Sequence, residues 1–148
     1  MPYRILILEG VRDEAAARRE THVQCDSSLQ QHHFEHLYAG EYVALDETQP
    51  LRLVRLQQKA LDENDLLQRV DQRLAALQAD ILLVHSCALF QSHLDELFFV
   101  AQTLKTSHPA LRIGFRTRPF EQYGPRSFFE YTAEMRDLMS IVFADAKK

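Results

Sequence analysis

The chain has 148 residues, a formal charge of -4 with acids and bases interspersed, and 46% apolar against 26% charged residues. That composition suits one globular domain with a real core and exerts no global pull on phosphate backbones, so nucleic acid is not an expected partner. No run of eighteen apolar residues and no charged-then-apolar leader occurs, and Cys25 and Cys87 are too few for a disulfide framework, so the expectation is a cytoplasmic protein without a membrane span.

Residues 3–8 (Y-R-I-L-I-L) form an apolar run that Glu9-Gly10 can turn, and they predict the central first strand. Residues 11–20 place Asp13 and Glu14 before three alanines and Arg18-Arg19 after them, the charge order a helix dipole favours. Residues 21–50 read as an irregular or inserted segment, longer than a plain connection. Within it, Ser27 or Ser28 caps a predicted helix through Leu29, His33, Phe34 and Leu37, which Gly40 closes. Residues 42–45 and 51–56 are alternative strand candidates.

From Asn64 the pattern sharpens. Leu67, Val70, Leu74 and Leu77 follow an Asn64/Asp65 cap at helical spacing. Residues 79–84 are a continuous apolar strand, followed by the polar crest His85-Ser86-Cys87. A helix opened by Ser92 and Asp95 runs through Leu94, Leu97, Phe98, Ala101 and Leu104 until His108-Pro109 ends it. Residues 111–117 form the next strand, and residues 118–126 a proline-containing loop. Ser127 and Glu130 open a helix to about Leu138, and residues 139–144 read as a last strand. The order predicts a single α/β domain over residues 1–148, with a three-layer, doubly wound, mostly parallel five-stranded sheet.

In open sheets of this kind ligands sit beyond the carboxyl ends of the strands. That rule directs attention to His85, Ser86, Arg116 and Arg118, and Glu9 is the evident neighbour to hold the tautomer of His85. Two guanidiniums, a hydroxyl and an imidazole there can hold a phosphate or carboxylate. The alternative is that the arginines are solvated or pair with Glu9, Glu121 or Glu130.

A strand running into Cys87 invites comparison with a nucleophile elbow, but His85 and Leu89 occupy places where that tight turn needs small residues. Cys87 is therefore expected to be a packed residue. His32 and His36, one turn apart on the predicted helix, are a candidate metal pair with His22 and Cys25 upstream. The short interval between Cys25 and His32 is unlike a zinc finger, and a polar helix face with surface histidines explains them as well. No glycine-rich phosphate loop accompanies the strands, and no cofactor is expected.

The element order, with Ser86 about 25 residues before the next strand, resembles the receiver domains of bacterial two-component signalling. A phosphorylatable receiver has an acidic pair after its first strand, an aspartate ending its third, a hydroxyl residue ending its fourth and a lysine ending its fifth. At the matching places this sequence has Glu9 alone, Ser86 or His85, Thr117, and Asp145. Without a carboxylate at position 85 or 86, aspartyl phosphorylation is excluded there. The resemblance implies a pseudo-receiver of flavodoxin-like fold, kept for binding rather than phosphoryl transfer.

The first functional expectation is a non-catalytic regulatory or interaction domain. Its surface is the crest plus the following loop, where Phe120, Tyr123 and Arg126 are residue types enriched at binding hot spots. A protein partner, a homodimer or a small anionic ligand fits it. The alternative is a small hydrolase or transferase acting on a phosphorylated metabolite or nucleotide, with His85 as acid or base and Ser86 as nucleophile or hydrogen-bond donor. Histidine-cluster metal binding by His32 and His36 is the third.

Overall fold

The computed structural model describes residues 2–12, 14–44, 51–53, 63–85, 93–116 and 132–142. In chain order these form β1 (Arg4–Arg12), α1 (Glu14–Cys25), a short 3-10 turn (Ser27–Leu29), β2 (His33–Ala44), β3 (Leu51–Leu53), α2 (Glu63–Leu77), β4 (Ile81–His85), α3 (Leu94–Ser107), β5 (Arg112–Arg116) and α4 (Ala133–Val142).

Among the described residues the parallel sheet has four strands, ordered β2-β1-β4-β5, with β3 pairing antiparallel to Tyr42–Ala44 at the outer end of β2. The architecture is α/β and compatible with a flavodoxin-like fold. From β1 the chain steps outward to β2, then returns past β1 to β4, so the strand order reverses between β1 and β4. The registers Leu8↔Val84 and His85↔Arg116 bring the carboxyl ends of β1, β4 and β5 together.

Strand alternation sorts the core into two halves. Leu6, Leu8, Leu82, Val84, Ile113 and Phe115 pack against Leu66, Val70, Leu74 and Leu77 of α2 and Leu97, Val100, Ala101 and Leu104 of α3. Ile5, Ile7, Ile81 and Leu83 face the other way, onto Val23 of α1 and Met135, Leu138, Met139 and Val142 of α4. Covering both faces explains the unbroken apolar runs in β1 and β4. Each fully buried aliphatic side chain contributes roughly 1.5–3 kcal/mol.

The amino-terminal rim is tied by Asp80. Its carboxylate accepts the Arg4 amide at 3.0 Å. Its own amide donates to the Arg4 carbonyl at 2.8 Å, and its carbonyl accepts the Arg112 amide at 3.1 Å. Just before it, α2 ends with Gln78 at φ 55. The amides of Gln78 and Ala79 donate back to the carbonyls of Ala75 and Leu74, the paired bonds of a Schellman end.

Several sequence expectations are corrected. The five-stranded parallel sheet has four parallel strands, because residues 139–142 continue a helix rather than starting a strand. Met135, Leu138, Met139 and Val142 recur at helical spacing and are all buried. Thr132 caps that helix, its hydroxyl accepting the Met135 amide at 3.2 Å. Ser127 and Glu130, expected to open it, lie outside the described residues.

The helix predicted through Leu29, His33, Phe34 and Leu37 is instead a 3-10 turn followed by a long strand. Phe34 and Leu29 belong to one half of the core and Leu37 to the other, which no single helix stripe allows. Both candidate strands within residues 42–56 form, as the end of β2 and as β3. Gly10 does not turn the chain, since β1 runs on to Arg12 and α1 begins later, at Glu14. The N-cap of α3 is His93, without a side-chain cap bond, and Ser92 lies outside the described residues.

Candidate functional site

Among the described residues Glu9 is the one buried charged residue, 1% exposed inside β1, where the strand order reverses. Alternation turns it toward α1, on the side shared by Ile5 and Ile7. The guanidinium of Arg19, on α1, donates from Nε at 2.9 Å and from Nη2 at 2.7 Å to Oε1. His36 Nδ1 lies 3.2 Å from Oε2, and His85 Nδ1 lies 3.3 Å from Oε1. Three of these contacts fall on Oε1 and one on Oε2.

Burial pushes the Glu9 carboxyl up, but His36, His85 and the Arg19 guanidinium outweigh it and hold the group far below the usual carboxylate range. Glu9 is thus an ionised group within the core. His36 continues the network outward, stacking on Tyr38 with ring centroids 6.1 Å apart. The Tyr38 hydroxyl donates to Glu20 at 2.9 Å, and the Arg12 guanidinium lies 5.5 Å from the ring centroid. Burial, with Glu9 and Glu20 adding to it, raises the Tyr38 phenol well above its ordinary value.

Of the residues singled out from sequence, Glu9 and His85 are brought into contact across β1 and β4. Arg116 stands in register with His85 on β5. Ser86, Arg118, Phe120, Tyr123 and Arg126 lie outside the described residues, as do Cys87, Thr117 and Asp145.

The histidine pair is a correction. His32 and His36 precede and occupy an extended strand, which places them roughly 13 Å apart at the usual rise rather than one helical turn. Their partners differ. His32 Nδ1 accepts the Tyr3 amide at 2.9 Å, and its ring stacks on Tyr3, whereas His36 belongs to the Glu9 cluster. No group of three His, Cys, Asp or Glu among the described residues is arranged to hold a metal ion.

Arg19 and Tyr38 are site residues that sequence reasoning missed, and His36 was assigned to the wrong setting. A signal was present in Phe34-Glu35-His36-Leu37-Tyr38, where Phe34, His36 and Tyr38 alternate along one strand face. Arg19 follows Glu9 by ten residues, the reach of a turn and a first helix.

No protein-family model matches the chain, and no curated protein matches it significantly. No helix among the described residues is long and apolar enough to cross a membrane. Functional assignment therefore rests on the geometry around Glu9.

Proposed function

We propose that the chain is a non-catalytic regulatory or interaction domain, pseudo-receiver-like and cytoplasmic, which binds a small anionic ligand or a protein partner at the carboxyl edge of its sheet. The observation that carries this reading is the contact of His85 with buried Glu9, 3.3 Å across the point where the strand order reverses. Arg19 already neutralises Glu9, so the cluster presents no net negative charge to repel an anion. Arg116 stands in register with His85, and Arg118 follows two residues later in the chain.

The pairing of this carboxylate also argues against receiver-type phosphoryl transfer. Glu9 is already paired with Arg19 and His36, and β4 ends in His85 rather than an aspartate. A thermal-shift panel of nucleotides, sugar phosphates and inorganic phosphate tests the anion reading. A true ligand at a hundred times its dissociation constant stabilises by about 2.7 kcal/mol, and Arg116→Ala abolishes that gain. If the panel is silent, the partner arm of the reading predicts that Phe120→Ala, Tyr123→Ala or Arg126→Ala weakens self-association or capture of a partner at an unchanged melting temperature. Loss of folding in those variants would remove the proposed surface.

One observation favours the enzymatic alternative, a small hydrolase or transferase acting on a phosphorylated metabolite or nucleotide. The Glu9 carboxylate stands at ion-pair distance, 3.3 Å, from Nδ1 of His85, and the other ring nitrogen is the one this reading uses for proton transfer, with Ser86 next in the chain. Turnover of a stabilising phosphate ester that His85→Gln eliminates would establish it.

A further inference from the structure

We propose that the contact between Tyr3 and His32 is an acid-released clasp, which holds the start of β2 to the residue before β1 near neutral pH and opens when His32 takes up a proton. It lies at the amino-terminal rim, away from the carboxyl-edge site proposed above. Asp80 ties β1, β4 and β5 at that rim through Arg4 and Arg112, whereas β2 is joined there to Tyr3, whose carbonyl accepts the His33 amide at 2.8 Å. The tie at β2 thus includes a titratable group.

The Tyr3 amide donates to Nδ1 of His32 at 2.9 Å. A backbone amide can only donate, so Nδ1 presents its lone pair and the neutral ring carries its proton on Nε2. The Gln31 side-chain amide lies 3.3 Å from Nε2 and accepts that proton with its oxygen turned to the ring. A second proton has to enter at Nδ1, on the line that the Tyr3 N–H already occupies. Protonation therefore breaks this bond and sets two N–H groups against each other. The two rings stack with centroids 5.4 Å apart, and the Tyr3 hydroxyl donates to Glu134 at 2.8 Å, so α4 is joined to the same clasp.

The surrounding groups set the direction of the response. Burial holds the His32 imidazole below its ordinary 6.5, the amino-terminal ammonium group adds to this, and Glu134 of α4 opposes it. Arg112 of β5 lies 3.4 Å from Glu134, and its guanidinium carbon stands 6.0 Å from the Tyr3 ring centroid, which offsets part of that carboxylate's pull. On β2 the neighbouring His33 turns to Glu35, 3.6 Å away, and Phe34 meets the His32 ring edge-on. Because the closed form binds the proton less readily, an opened clasp is protonated first. Closure is therefore complete above about pH 6.5 and is lost as the pH falls through the histidine range.

The test follows the full-length chain from about pH 8 to about pH 5 by ¹⁵N resonances of the histidine rings and by hydrogen-exchange protection of the Tyr3 and His33 amides, corrected for intrinsic rates. The expected result is a His32 ring with its proton on Nε2 at neutral pH, ionising below ordinary histidine, and amide protection that falls in step by up to about tenfold per pH unit. His32→Asn, whose side-chain oxygen replaces Nδ1 as acceptor, should keep the protection and lose its pH dependence. Glu134→Gln should move the release to lower pH. A proton on Nδ1 at neutral pH, ionisation at or above the ordinary histidine value, or protection that ignores the ionisation of His32 would overturn the clasp. An unchanged response in His32→Asn would do the same. The response also has to survive Glu9→Gln, because the stability that Glu9 contributes changes only below about pH 4.5, and its loss in that variant would refute the clasp. No ligand enters these measurements, so a silent anion panel leaves them unaffected.

Discussion

Nη2 of Arg19 lies 2.7 Å from Oε1 of Glu9, and this contact joins α1 to the central strand through a carboxylate that is 1% exposed. Removing the guanidinium leaves an ionised group in the core with only imidazole partners. Arg19→Ala is expected to cost about 3 kcal/mol in urea unfolding, the scale of a broken buried pair. Adding Glu9→Gln to that variant should recover part of the loss, because the stranded charge goes with it. A double variant no more stable than Arg19→Ala would show that the pair is not coupled.

The same carboxylate predicts an acid response. Its folded pKa is depressed below the ordinary 4.5, so on acidification the unfolded chain takes up the proton first. The stability contributed by Glu9 is therefore complete above about pH 4.5 and falls progressively below it. Over that window the unfolding free energy of the wild type should drop more steeply than that of Glu9→Gln, by up to about 1.4 kcal/mol per pH unit. Parallel slopes in the two proteins would contradict the assignment.

Gly114, on β5, reports on how tightly α4 sits against the sheet. A Cβ there would stand 2.8 Å from Cε of Met135 and 3.2 Å from both Cδ2 of Leu83 and Sδ of Met139. The closest atom is the end of a flexible side chain, so the structure can yield at some expense. Gly114→Ala should lose about 1–2 kcal/mol by chemical denaturation. A neutral result would mean that α4 stands further from β5 than described.

Gln78 holds a left-handed conformation at φ 55, a place where glycine avoids the Cβ clash. Gln78→Gly is expected to stabilise the chain by about 0.5–1 kcal/mol even though it removes the 3.1 Å bond from Arg4 Nη1 to the exposed Gln78 amide. Thermal melts would show the gain directly.

The sequence was most legible where one element's apolar pattern answered to one core. Leu66, Val70, Leu74 and Leu77 line the buried side of α2, with Leu67, the first residue chosen by pattern, packed at the margin instead. The strands β4 and β5 were readable as apolar runs because both of their faces are covered. The same double burial concealed β2, where Phe34 and Leu37 serve opposite halves of the core and imitate a helix spacing. Residues 139–142 misled for the converse reason, as a short apolar run cannot distinguish a strand from the end of a helix. In the candidate site, the contact of Glu9 with His85 was legible as the pairing a histidine at a strand end needs, while Arg19 stayed hidden because its contact depends on where α1 packs.

Asp80 fixes the alignment of β1, β4 and β5 from the rim opposite Glu9. Sheet register is decided by backbone bonds that involve none of the crest side chains. Substitutions around His85 and Arg116 can therefore accumulate without misaligning the strands, and the surface of that edge can change while the framework stays intact. A knot at one rim gives the other freedom to diverge.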